Sequence, residues 1–125
     1  MKISILERDS LGIDVDMSEI DKLGEVTVYP ATTVENAVEH IGDADIIIAN
    51  KLPLNEKTLK DAKNLKYIGL FATGFNNIDV ETAKNKGIVV CNAGSYSTNA
   101  VAQQVMAYIL MHYTKIPQYN TFVKD

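Results

Sequence analysis

The sequence predicts a three-layer α/β fold built on a five-stranded parallel sheet of order 2-1-3-4-5. Short apolar or β-branched runs alternate with helix-patterned segments along the chain, which implies right-handed βαβ units. The third run, Ala44-Asp45-Ile46-Ile47-Ile48-Ala49, is β-branched without alternation, as expected of a strand covered on both faces. Five such runs fall within about 90 residues, the spacing of a flavodoxin-like doubly wound sheet with helices on both sides.

Lys2 to Glu7 reads as a first buried strand. Ser18 precedes Glu19-Ile20-Asp21-Lys22-Leu23 and Gly24 follows, giving the cap and stop of a brief helix. Val26 to Tyr29 alternates β-branched and aromatic residues until Pro30 ends the ladder, so this second strand is an outer one. Thr32 and Glu35 make a capping box, behind which Val34, Ala37, Val38 and Ile41 recur at helical spacing up to Gly42. After the third strand, Asn50-Lys51-Leu52-Pro53-Leu54 is loop, and Asn55 caps a helix through about Lys63. Tyr67 to Phe71 is the fourth strand, Asp79 caps a helix that ends at Gly87, and Ile88 to Cys91 is the fifth. A long helix then runs from about Ser97 to Lys115, closed by Pro117.

That last helix is apolar round most of its circumference, with only a stripe near Gln103, Gln104, Thr114 and Lys115 polar. At roughly 28 Å it outruns a five-residue strand. Such a helix is expected to be buried on more than one side, against a second domain or subunit as well as its own sheet.

A chain of 125 residues with 46% hydrophobic and 22% charged residues reads as one soluble domain, 1–125. The N-terminal apolar stretch is short for a signal peptide, and no uncharged run reaches the roughly 18 residues of a membrane span. A lone Cys91 leaves no intramolecular disulfide and fits a reducing, cytoplasmic compartment. The net charge of −4, with no dense Lys/Arg patch, argues against nucleic acid.

The stretch with chemical promise is Gly69-Leu70-Phe71-Ala72-Thr73-Gly74-Phe75-Asn76-Asn77-Ile78-Asp79, a strand passing through a turn into a helix. Gly74 is expected to take a positive φ and, having no Cβ, to admit a ligand close to the backbone. Free N–H groups at such a turn suit a carboxylate or phosphate, and the carboxyl ends of the strands are where an open α/β sheet binds ligands. The neighbouring loops, Asn50-Lys51-Leu52-Pro53 and Asn92 to Asn99, add a cation and several amides.

Other chemistries of this architecture lack their residues. A phosphoacceptor receiver needs an Asp where Asn50 and Lys51 stand and a lysine where Cys91 and Asn92 stand. A flavin-phosphate loop would follow the first strand, but Glu7-Arg8-Asp9-Ser10 puts two acids there. The sequence contains neither a complete Gly-x-Gly-x-x-Gly fingerprint nor a Walker loop. His40 reads as a solvated helix residue, His112 as packing or an interdomain contact, and Cys91 as a small core residue. Neither histidine has a Cys or acidic neighbour at metal-ligand spacing, so no metal is expected.

The order of these loops resembles the N-terminal part of NAD-dependent D-2-hydroxyacid dehydrogenases, most of all the glycerate dehydrogenase/hydroxypyruvate reductase-like branch. The resemblance rests on Ala72 to Asp79, Lys86-Gly87-Ile88-Val89-Val90-Cys91-Asn92, and Tyr96-Ser97-Thr98-Asn99-Ala100-Val101-Ala102-Gln103, and it spans essentially the whole chain. Gly94 departs from it, since the family usually has proline there.

The resemblance implies an oxidoreductase moving hydride between NAD or NADP and a small 2-hydroxy or 2-oxo acid. It implies a flavodoxin-like substrate domain with a Rossmann domain inserted after it. The amides of Thr73 and Gly74 would hold the substrate carboxylate, Asn50 and Lys51 would line the pocket, and Thr98 and Asn99 would lie near the cofactor. The family's catalytic Arg and His–Glu pair belong beyond Asp125, so these residues alone are expected to be inactive and to hold no cofactor tightly. A homodimer is expected through the apolar last helix, either by self-association of its surface or by its exchange between protomers through the Asn92–Tyr96 hinge. The rival reading is a free-standing flavodoxin-like module that binds a small anion or a partner.

Overall fold

Ile3, Ser4 and Ile5 are all buried because their strand, β1 (Lys2–Ile5), is paired on both sides. β2 (Glu25–Val28) runs parallel to it on one side and β3 (Ile46–Ala49) on the other, with Ile3 in register with both Val26 and Ile46. β4 (Tyr67–Leu70) and β5 (Val89–Cys91) continue the sheet, so the order is β2-β1-β3-β4-β5, all parallel. The structure is a computed structural model that describes residues 1–124, and the chain divides into two units, Met1–Gly94 and Ser95 onward.

In the first unit, Ile47, Ala49, Ile68 and Leu70 point to one face and form a single core with Ala37 and Ile41 of α2 (Ala37–Ile41), Leu59, Ala62, and Ala83 of α3 (Val80–Asn85). The expectation that the third strand is covered on both faces is not met. Ile46 and Ile48 on the opposite face are half-buried, while Val89 and Cys91 are exposed. A β-branched run shows what a strand could bury, but the covering segments decide what it does bury. The same open face corrects the reading of Cys91, which is not a core residue: it lies opposite Gly69 on an edge strand and is exposed.

Local capping departs from the sequence pattern in three places. Ser18 opens α1 (Ser18–Asp21), but the cap is Met17, and the carboxylate of Asp16 accepts the Ser18 N–H and hydroxyl instead. Thr32 and Glu35 form no capping box. The Thr32 hydroxyl donates to the Leu6 carbonyl, while Asn36 Oδ1 accepts the Thr33 N–H at 2.7 Å, so α2 begins only at Ala37. Thr32 also lies 2.9 Å from His40 Nδ1, and the imidazole stacks on Tyr29 at 3.8 Å, so His40 is held in place, not freely solvated. Asn55 Oδ1 does accept the Lys57 and Thr58 N–H groups, but the segment after it forms turns and no α-helix. Asp79 caps α3 as read, accepting the Thr82 N–H at 3.0 Å.

The second unit is helical. α4 (Thr98–Thr114) ends at Lys115, which takes a left-handed φ of 53°, and α5 (Ile116–Lys124) follows at once. Pro117 therefore does not close the helical run. It stands in the first turn of a new helix, where a missing N–H costs nothing. No residue of α4 or α5 is buried within this chain. No helix of the described residues is long and apolar enough to cross a membrane.

The Thr82 backbone N–H and hydroxyl hold the Asp79 carboxyl below the usual aspartate range. A carboxylate whose folded pKa is depressed adds stability above the unfolded value and loses it as pH falls through the folded one. Asp79→Ala should therefore lower the thermal midpoint at neutral pH, and the gap to wild type should shrink in strongly acidic buffer. Melts followed by circular dichroism across pH check this.

Candidate functional site

Parallel pairing brings the carboxyl ends of the strands to one edge, where β1, β3, β4 and β5 emit the loops containing Glu7, Asn50 to Leu52, Ala72 to Asn77, and Asn92. The ladder continues beyond the strands, with the Phe71 N–H donating to the Ala49 carbonyl and the Ala93 N–H to the Ala72 carbonyl, each at 2.9 Å. These bonds fix where the Ala72–Gly74 turn leaves the sheet.

Side-chain amides then tie the loops together. Asn92 Nδ2 donates to the Thr73 carbonyl at 2.6 Å. Asn77 Nδ2 reaches out of the same loop to the Leu52 carbonyl at 2.9 Å and the Asn50 carbonyl at 3.4 Å. The backbone of Asn77 is fixed in turn, because its carbonyl accepts the Leu54 N–H at 2.9 Å. From the other side the Glu7 carboxylate accepts the N–H groups of Asn50, Lys51 and Leu52 at 2.6, 3.0 and 3.0 Å.

Thr73 and Gly74 are exposed, and among the described residues neither N–H has a partner. Two successive free donors beside an anchored carbonyl can accept a small anion. Gly74 does not take the expected positive φ, which among the glycines belongs to Gly42, Gly87 and Gly94. The turn is made without a left-handed residue, because the ladder bonds on either side already set its direction. A Cβ at Gly74 would meet only Asn76 Oδ1, at an ordinary 3.5 Å, so glycine there leaves an open approach and the backbone does not require it. Gly94 does need its freedom, since its φ of 66° is closed to proline.

The structure thus joins the loop that carries Thr73 and Gly74 to the Asn50–Leu52 turn through Asn77. The polar backbone groups of Asn50 are already engaged, while Lys51 is exposed and enters none of the ion pairs among the described residues. Thr98 and Asn99 lie in the first turn of α4, in the second unit, and are exposed. Sequence reading gave no role to Glu7 or to Asn77 as a clamp. The only signal for Glu7 was an acid directly after the first strand.

A cleft of about 180 Å³ lined by Phe75, Val80, Val90 and Asn92 opens beside these loops. Another, of about 170 Å³, runs between β2, β1 and α2, where Lys2 pairs with Asp43 and His40 stacks on Tyr29. The first cleft, with free donors at the strand ends, is the better place for a ligand. No strand-to-helix turn in the sequence carries the three glycines that admit a dinucleotide pyrophosphate, so the residues present do not fit that cofactor.

Sheet order and loop placement define a doubly wound α/β protein with its ligand crevice at the carboxyl edge. The family model described as "D-isomer specific 2-hydroxyacid dehydrogenase, catalytic domain" matches residues 5–122, and the chain belongs to that family. It is 36% identical to a hydroxypyruvate reductase of Blautia hydrogenotrophica, over 100% of this chain and 40% of that protein. It superposes with a TM-score of 0.82 and 25% identity on an acyclic imino acid reductase solved with NADPH and D-Arg, covering 99% of this chain and 41% of that one. An NAD⁺-bound 3-phosphoglycerate dehydrogenase of Entamoeba histolytica gives a TM-score of 0.70 at 28% identity, over 89% of this chain and 38% of that one. The chain therefore spans about two fifths of the length of these relatives.

Asn77→Asp would set a carboxylate against the Leu52 and Asn50 carbonyls in place of a donor. The expected loss is about 1–3 kcal/mol, the cost of leaving partly buried acceptors unpaired and facing a carboxylate. Urea titration at neutral pH measures it.

Proposed function

We propose that this chain is the substrate-holding domain of an NAD- or NADP-dependent dehydrogenase acting on a small 2-hydroxy or 2-oxo acid. The observation that carries the reading is the pair of free N–H groups at Thr73 and Gly74, anchored by Asn92 in a chain of this family. They would hold the substrate carboxylate, with Lys51 adding positive charge and the Phe75–Val80–Val90 cleft receiving the carbon chain. Asn50 would line the pocket, and Thr98 and Asn99 would lie towards the cofactor. When bound to such a dehydrogenase, a nicotinamide supplies or accepts the hydride at the 2-carbon. Here the residues of this chain bind and orient the acid, and the reacting acid–base groups come from outside it.

The likeness to proteins of more than twice this length supports a cofactor domain as partner. The exposed apolar side chains of α4, Val101, Val105, Met106, Ile109 and Leu110 among them, support a covered state in which α4 meets that domain or a second copy, by packing or by exchange between protomers. The lone Cys91 supports a cytoplasmic setting.

Titration of the ¹⁵N-labelled chain with glyoxylate should shift the Thr73 and Gly74 amides saturably. Gly74→Ala should weaken that binding about tenfold while leaving the melt unchanged, because the new methyl meets no close neighbour. NADH oxidation with glyoxylate should stay at background. Shifts confined to other amides, or robust turnover, would overturn the reading.

Assembly has its own test. Leu110→Glu puts a charge on the exposed apolar surface of α4 and should move the sedimentation profile from dimer to monomer. A wild-type chain that is monomeric at high concentration counts against assembly through this helix.

A further inference from the structure

The Asn50–Leu52 turn is fixed from two sides by side chains from two different loops. Glu7 Oε2 accepts the N–H groups of Asn50, Lys51 and Leu52, and Glu7 Oε1 is also 3.1 Å from the Lys51 nitrogen. Asn77 donates to the carbonyls of Asn50 and Leu52. Three successive N–H groups converging on one point form an anion-binding concavity, and here the anion belongs to the chain itself.

We propose that Glu7 is a positioning residue that fills this amide concavity with its own carboxylate, leaving the Thr73–Gly74 amides as the pair open to the substrate acid. The proposal rests on the reading of Thr73 and Gly74 as the carboxylate site. The two sets of donors lie on adjacent loops joined through Asn77, and without Glu7 the three-donor set would be the stronger attractor for a small carboxylate. Glu7 is tethered one residue beyond the Leu6 N–H, which donates to the Ile48 carbonyl at 2.9 Å. Its carboxylate is thus held within reach of these amides by the chain itself, without loss of a free ligand's translational freedom on binding. With its N–H groups engaged by Glu7, the turn also keeps the Lys51 side chain on a fixed backbone beside the Thr73 loop.

The test is chemical rescue in the ¹⁵N-labelled 125-residue chain. Formate and glyoxylate are titrated separately into wild type, Glu7→Ala and Glu7→Gln. In wild type, formate should leave the Asn50, Lys51 and Leu52 amides unmoved. In Glu7→Ala, both acids should shift those three amides saturably, at least about tenfold more tightly than in wild type, and formate should raise the thermal midpoint of the variant alone. Glu7→Gln keeps one carbonyl acceptor and should fall between the two. Equal formate responses at residues 50–52 in wild type and Glu7→Ala, or none in either, overturn the proposal. If Glu7→Ala does not fold, recovery of its spectrum by formate supports the role. Failure of recovery together with a wild-type response in Glu7→Gln overturns it. Should wild-type Thr73 and Gly74 ignore glyoxylate, the carboxylate-site reading fails, while the formate result at residues 50–52 still decides whether Glu7 fills the concavity.

Discussion

Everything at the carboxyl edge depends on the interior position of β1, which is paired in parallel on both sides. Parallel pairing sends every chain reversal through a crossover, so the carboxyl ends of all the strands collect on one edge. The chain then leaves β1 beside the end of β3, which is how the carboxylate of Glu7 comes to lie under the amides of Asn50, Lys51 and Leu52. A different sheet order would break that contact, and the β3 loop would need another anion or water to satisfy its donors.

The edge is stiffened by polar side chains that bridge its loops, while Leu52, Leu54 and Ile78 of the same loops are buried in the core. Asn77 and Asn92 each bridge loops that are distant in sequence, joining residue 77 to residue 52 and residue 92 to residue 73. Amides suit this work because one NH₂ group can serve two carbonyls without bringing a charge into a partly buried place. Carbonyls are thereby consumed, while the N–H groups of Thr73 and Gly74 stay free.

Composition and packing part company in two places. The β-branched Ile46–Ile47–Ile48 run could bury both faces, yet only the face bearing Ile47 is fully covered. In α4 the apolar residues encircle the helix, yet none is buried within this chain. In both cases the residue type states a capacity for burial, and the exercise of that capacity depends on surfaces that a one-dimensional pattern does not contain.

The sequence by itself determined the five strands, the order 2-1-3-4-5, the Asp79 cap and the exposed Thr73–Gly74 turn. All of these follow from local periodicity, short-range capping and the handedness of βαβ units. Tertiary structure alone decided that Glu7 serves residues 50–52, that Thr32 answers Leu6 instead of capping a helix, that Gly74 needs no positive φ, and that Cys91 is exposed. The physical reason is range. A side chain takes whichever partner the fold brings within hydrogen-bonding distance, and for Glu7 that partner lies 43 residues away, beyond the reach of any local pattern.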